Sequence, residues 1–138
     1  MGRILALDFG KVRTGIAVTD ELKLIASGLT TVNTSDLLSF LKDYLKNEPV
    51  ECIVIGEPKQ MDGTPSESEV LIQSFIKKLS ATLPTLKIER QDERFTSKLA
   101  MNTMITGGMK KKKRQNKAMV DKISATLILQ AYLDRTTS

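Results

Sequence analysis

Histidine and tryptophan are absent from the 138 residues, and cysteine occurs once, at Cys52. Without histidine there is no Ser-His or Cys-His nucleophile, no His-ligated zinc and no ordinary proton shuttle near neutral pH. A single thiol excludes an internal disulfide. Set in the strand-like run VECIVIG, Cys52 reads as a small core residue. Aromatic residues make up only 4% of the chain, which argues against base stacking as the main mode of contact with a nucleic acid. No apolar run reaches the roughly 18 residues that a membrane span needs. The opening MGRILALDFG enters a strand without the charged start, apolar stretch and cleavage site of a secretory signal, so the expected location is the cytoplasm.

Positive charge is plentiful but concentrated in one place. Residues 97–122 carry eight Lys or Arg against one acid, Asp121, a local charge of +7 in a chain whose net charge is +5. Such a block, with Lys110, Lys111, Lys112, Lys113, Arg114 and Lys117 at its centre, suits a polyanionic partner. Taken alone it is as often a solubilising loop, and a membrane-surface patch is a weak reading without a lipid anchor or amphipathic partner.

The length fits one domain, residues 1–138, with one core. Segments at about 3–9, 13–19 and 24–32 are rich in Ile, Leu, Val and Thr and read as strands, the first two close enough for a hairpin. Thr34 or Ser35 is the expected cap of a helix bearing Leu37, Leu38, Leu41, Tyr44 and Leu45. The run 50–56 lacks alternation, as a strand buried on both faces should. Ser66 with Glu69 forms a capping-box pattern ahead of a helix with Ile72, Phe75, Ile76 and Leu79 on one side. LKIER is a further strand that QDERF continues or leaves. Thr96 caps a third helix ending at Gly107-Gly108, a basic loop follows, and a last helix spans about 118–133. The order βββ-α-β-α-β-α-α implies an α/β sheet with helices on both faces.

Three acids stand out. Asp8 closes the first strand, Glu93 lies at or just past the end of the last strand, and Asp121 is expected in the first turn of the final helix, where the dipole favours an anion. Sites in open α/β sheets gather at the carboxyl ends of strands. Ser124, Ala125 and Ile128 share the Asp121 face, and two small neighbours would let that face press against the sheet. Three converging acids repel one another unless a cation neutralises them, and Mg²⁺ or Mn²⁺ suits such oxygen ligands. Singly, each acid has a plainer reading: Asp8 as a turn former, Asp121 as a helix-start residue, Glu93 as one charge among several in ERQDER. Period-2 reasoning does not choose between Asp92 and Glu93, which point opposite ways.

Four motifs taken together resemble the YqgF family of RuvC-like Holliday-junction resolvases, also described as pre-16S rRNA nucleases. LDFGKVRTGIAVTD is similar to its D-x-G-x-x-R-x-G-x-A opening, VIGEPKQMDGTPSE to its G-x-P-x-x-x-D-G-T segment, DERFTS to its D-E-R motif, and VDKISATLILQAYLD to its closing D-x-x-[AS]-A helix. The likeness runs from about residue 3 to 134. It implies an RNase H-like fold with a mixed five-stranded sheet flanked by helices, and a metal-dependent phosphodiesterase holding one or two ions. It also implies Glu93 as the family acid alongside Asp8 and Asp121, with Arg13, Lys11 and Arg94 near the scissile phosphate. Position 57, usually apolar in the family, is Glu here. If its strand lies beside the first, Glu57 ends near Asp8, as a fourth ligand, in a salt bridge, which we favour, or pointing outward.

The expected reaction is in-line hydrolysis of a nucleic-acid phosphodiester by metal-activated water. The basic stretch would hold backbone phosphates of precursor rRNA or branched DNA with little sequence reading. A monomer or a homodimer would serve, the latter suiting a two-fold symmetric junction. One rival is a non-catalytic nucleic-acid module. Another is an actin-like or sugar-kinase-like ATP-binding protein, whose phosphate loop also resembles Asp-x-Gly after a first strand but which generally needs two such lobes.

Overall fold

Four consecutive side chains in the first strand, Ile4 to Leu7, are buried, which a strand permits only when both faces of its sheet are covered. The computed structural model describes residues 2–59, 63, 66–93 and 117–137. Its elements are β1 (Arg3–Phe9), β2 (Arg13–Thr19), β3 (Ala26–Asn33), α1 (Leu37–Asn47), β4 (Val50–Glu57), α2 (Glu69–Thr82), β5 (Lys87–Asp92) and α3 (Lys117–Thr137). They form a five-stranded sheet in the order β3-β2-β1-β4-β5, with β2 antiparallel to β1 and β3, and β4 parallel to β1 and β5.

Strand alternation divides the core in two. Ile4, Ala6, Ala17, Cys52 and Val54 face α3, which buries Ala125, Ile128, Leu129, Tyr132 and Leu133 against them. Leu5, Leu7, Ile16, Ile53 and Ile55 face the other way, onto Leu37 and Leu41 of α1 and Ile72, Phe75 and Leu79 of α2. β4 is buried on both sides as its unbroken apolar run implies. Cys52 is a buried free thiol, pushed up by loss of water.

Several local expectations are corrected. β3 begins at Ala26 rather than 24, because the Asp20 carboxylate accepts the N–H groups of Leu24 and Ile25 (2.8 and 3.0 Å) and holds them in a turn. The Thr34 hydroxyl does not cap α1: it donates to the Gly10 carbonyl (2.6 Å) and bonds the Thr14 hydroxyl (2.9 Å), tying the β1–β2 turn to the end of β3, and no side-chain cap is made at either residue before α1. The Ser66–Glu69 capping box is not formed either. Ser66 bonds the Ser68 hydroxyl, while Glu69 accepts a two-pronged contact from Arg90 at 2.8 and 2.9 Å. A guanidinium fork outcompetes a backbone N–H for a carboxylate. α3 runs to Thr137, past the expected end at 133, with Arg135 reaching the Gln91 side chain (3.0 Å) and the Arg90 carbonyl (3.2 Å) on β5. The expected helix after Thr96, Gly107-Gly108 and the basic loop lie outside the described residues.

α3 crosses β2 at Gly15. A methyl group there would run into the Asp121 carbonyl and the adjoining backbone. Hydrogen alone at this position lets the helix axis come down onto the sheet. Gly15→Ala should cost about 3 kcal/mol in urea unfolding, at the upper end of overpacking penalties, because helix backbone must shift. Gly28→Ala on β3 meets side chains rather than backbone, Lys122 Cγ at 2.7 Å and Cδ at 3.1 Å with Thr126 Oγ1 at 3.3 Å, and because the lysine can swing aside it should cost well under half as much.

Candidate active site

Asp8 shares the strand face of Ile4 and Ala6, so it points toward α3 rather than α1. Its cross-strand partner is Gly15 on β2. On the other side, one step beyond the Leu7–Ile55 pair, lies Gly56 of β4. Asp8 is thus flanked on its own face by two positions that carry no side chain, and each space is used. Asp121 enters over Gly15 on the backbone of α3, and Glu93 enters over Gly56. A methyl at Gly56 would come within 2.5 Å of the Glu93 carboxyl carbon and 2.8 Å of Ile128 Cδ1.

Glu93 follows the last residue of β5, and its N–H donates to the Glu57 carbonyl at 3.1 Å, continuing the β4–β5 ladder by one step. That placement separates it from Asp92 and sets its carboxyl group against Asp8, to which it is hydrogen-bonded. Burial holds the Asp8 carboxyl up at about 6, with the Glu93 hydrogen bond opposing and the Asp121 charge adding to the shift. Glu93 is pushed further, to about 9, by burial and then by the charge and hydrogen bond of Asp8. Between those values the pair keeps one shared proton.

Asp121 lies close enough for its charge to act on Asp8, but its Oδ2 is held by Arg13 Nε at 3.0 Å. Two of the three acids are therefore in contact and the third is turned to a guanidinium. Among the described residues no group of three Asp, Glu, Cys or His side chains stands close enough to hold a metal ion as arranged. Asp121 also sits in the second turn of α3, not the first, so the helix dipole gives it little help. What positions it is the close approach at Gly15, with Ser124, Ala125 and Ile128 buried on its face as their size implied.

Lys11 is exposed and lines a groove with Phe9, Phe75 and Lys78 on the α2 side, away from the carboxylates. Glu57 pairs with Lys59 at 3.5 Å, the favoured salt bridge. Arg94, Lys110 to Lys113 and Arg114 lie outside the described residues, as does the Lys117 side chain. Sequence reading missed Arg90. Besides gripping Glu69 it donates to the Ile55 and Gly56 carbonyls (3.2 and 3.0 Å), fastening the strand end beneath Glu93, and its charge partly offsets that of Glu93. Nothing in the stretch ERQDER, charged at every position but Gln91, singles it out.

The raised carboxyls set a pH dependence. In an unfolded chain both acids ionise near pH 4, whereas the folded pair holds protons to about 6 and 9. Between pH 5 and 9 the unfolded chain has already given up both protons while the folded pair still holds them, so each rise in pH favours the unfolded state and stability present at pH 5 is lost across that window. In chelator, the melting temperature should fall by several degrees between pH 5 and 9, and Glu93→Gln should flatten most of that slope. Calorimetry at constant ionic strength checks this; equal slopes for the two proteins would refute the shared-proton arrangement.

The profile of the RuvX family, described as Holliday junction resolvase, matches residues 2–135. A candidate pre-16S rRNA nuclease of Christiangramia forsetii is 64% identical over 133 residues, covering 96% of this chain and 98% of that protein. One from Flavobacterium psychrophilum is 58% identical over 135 residues, covering 98% of each. Among solved structures, the Fowlpox virus resolvase, crystallised with Holliday junction DNA, superposes with a TM-score of 0.61 at 12% identity, covering 99% of both chains. The Thermus thermophilus RuvC complex gives 0.56 at 13% identity, covering 100% of this chain and 98% of that one. At such identities these likenesses speak for the fold, which is RNase H-like. The match over nearly the whole length places the chain in the RuvX (YqgF) family of Holliday junction resolvases.

Proposed function

We propose that this protein is a hydrolase that cleaves phosphodiester bonds of nucleic acid, with precursor 16S rRNA as its substrate in 5′-end processing. One observation carries the reading: a partly buried, proton-sharing carboxyl pair at the carboxyl rim of the sheet, within reach of a third acid's charge. Relatives named for rRNA cleavage favour RNA; the family description favours branched DNA as a second substrate.

The residues fit a divalent cation. Asp8 and Glu93 carry raised pKa values because their negative charges are crowded away from water, and a cation of the Mg²⁺ or Mn²⁺ type relieves that crowding as a proton does. Asp8, Glu93 and Asp121 would hold one or two such ions. When bound, the cation supplies a Lewis acid that makes water nucleophilic at neutral pH and offsets charge on the leaving oxygen. That chemistry answers the lack of histidine. On holding such an ion, Asp8 and Glu93 would release their shared proton to solvent. Arg13 exchanges Asp121 for a phosphate oxygen, which both orients the substrate and frees the third carboxylate. The Arg13–Asp121 pair is single-pronged and partly open to solvent, so its loss is offset by the new contact to phosphate. Arg94 and the basic stretch from Lys110 to Lys117 add contacts to the backbone phosphates.

Cleavage of a precursor rRNA fragment should require Mg²⁺ or Mn²⁺ and stop in chelator. Asp8→Asn should lower the rate by about 10³-fold, as expected from losing several kcal/mol of charge stabilisation, while leaving binding intact. Binding without cleavage under every condition would leave a non-catalytic nucleic-acid module, and preference for a four-way DNA junction would reverse the substrate order. With six cations in the basic stretch, the slope of log affinity against log salt should be about −4 for single-stranded RNA, and replacing Lys110 to Lys113 by Gln should remove more than half of it.

A further inference from the structure

We infer that a groove at the β3 edge, beside the carboxylates, seats the ribonucleotide flanking the cleaved phosphate. The inference rests on the nuclease reading above and deepens it by assigning a sugar-reading subsite. The groove has a volume of about 660 Å³ and is lined by Arg13, Thr31, Asn33, Asp36 and Phe40 among others. That volume lies within the range typical of sites for small ligands and admits one nucleotide.

Its position follows from the strand register. Arg13 pairs with Asn33 and Gly15 with Thr31, so the β3 residues on this side share the sheet face that carries Asp8 and are at its rim. Asp36 and Phe40 come from the turn into α1 and its first turn, closing the groove around the edge strand. Arg13 belongs to both places: its Nε holds Asp121, and the same side chain lines the groove. Among the described residues its two terminal nitrogens have no partner, leaving a fork suited to a phosphate.

The charges order a ligand along the groove. A phosphate is drawn to Arg13 and repelled by Asp36, so of the two charged residues lining the groove Asp36 is left to the sugar. Asp36 is exposed and acceptor-only, and it matches a hydrogen-bond donor. The ribose 2′-OH is such a donor, and deoxyribose lacks it. Phe40 is partly buried and stacked on Tyr44 at 6.0 Å between ring centroids, which fixes its ring as a wall against which a base lies flat. A base reaches that wall only from a single strand, since duplex bases are stacked inward.

The test is fluorescence anisotropy in chelator, with a labelled single-stranded oligoribonucleotide and the deoxy strand of the same sequence. Wild type should bind the RNA about five- to tenfold more tightly than the DNA. Asp36→Ala, at an exposed position, should abolish that preference by weakening RNA alone. Phe40→Leu keeps apolar bulk against Tyr44 and should weaken both strands about tenfold, in line with the loss of one stacked base. Circular dichroism melts confirm that each variant is folded. If both variants bind both strands as wild type does, the groove is no subsite, while the nuclease reading stands. Equal weakening of RNA and DNA by Asp36→Ala would overturn the ribose contact. Absence of any binding by wild type at low salt would instead sink the underlying reading.

Discussion

The Asp8 and Glu93 carboxyl groups hydrogen-bond to each other over a floor from which side chains have been removed at Gly15 and Gly56. Two acids are not brought together in a partly dry place for stability, since each charge would cost less in water. Their encounter is imposed by everything around it. β1 and β5 end at the same rim on either side of β4, the Glu93 N–H is captured by Glu57, and Arg90 fastens the β4 carbonyls and α2 to β5. The favourable terms lie in the two apolar layers, and the site draws on that surplus.

Asp121 is held differently. Its backbone is fixed by the contact of α3 with Gly15, but its side chain is committed only to Arg13, through one ion pair with both partners partly open to solvent. A closely packed backbone with a side chain engaged once is compatible with the exchange proposed for Asp121. The contrast with Glu69 is instructive. There the arginine contact is two-pronged, both side chains are more buried, and the carboxyl is held below its usual range chiefly by the Arg90 hydrogen bond. Among the described residues Arg90 is held by four contacts, whereas Arg13 makes one.

Much of this was legible in the residue order. β1 and β2 have the bounds that composition implied, β4 is buried on both faces, and the small residues beside Asp121 do bring α3 onto the sheet. The misreadings share a cause. Thr34, Ser66 and Glu69 have side chains suited to helix capping, yet other partners took them: Gly10 and Arg90, both far along the chain, and Ser68, two residues on. Local propensity does not foresee such competition. The choice between Asp92 and Glu93 was equally closed to strand periodicity, because alternation says that the two differ in face but not which face lies toward Asp8. Resemblance to a family motif pointed to Glu93, and Glu93 is the one of the two that is hydrogen-bonded to Asp8. The β3 groove, assembled across an edge strand and a helix start, left no signature in the sequence.

The division of β1 between two apolar layers has a consequence for how the protein tolerates change. Odd-numbered Leu5 and Leu7 belong to the α1–α2 side, and even-numbered Ile4 and Ala6 to the α3 side along with Asp8. Inserting or deleting one residue within this strand would exchange the two sets, sending the acid among leucines and a leucine toward Glu93. The spacing inside this strand cannot drift. Folding and activity here read the same odd-even count, and neither can be altered alone.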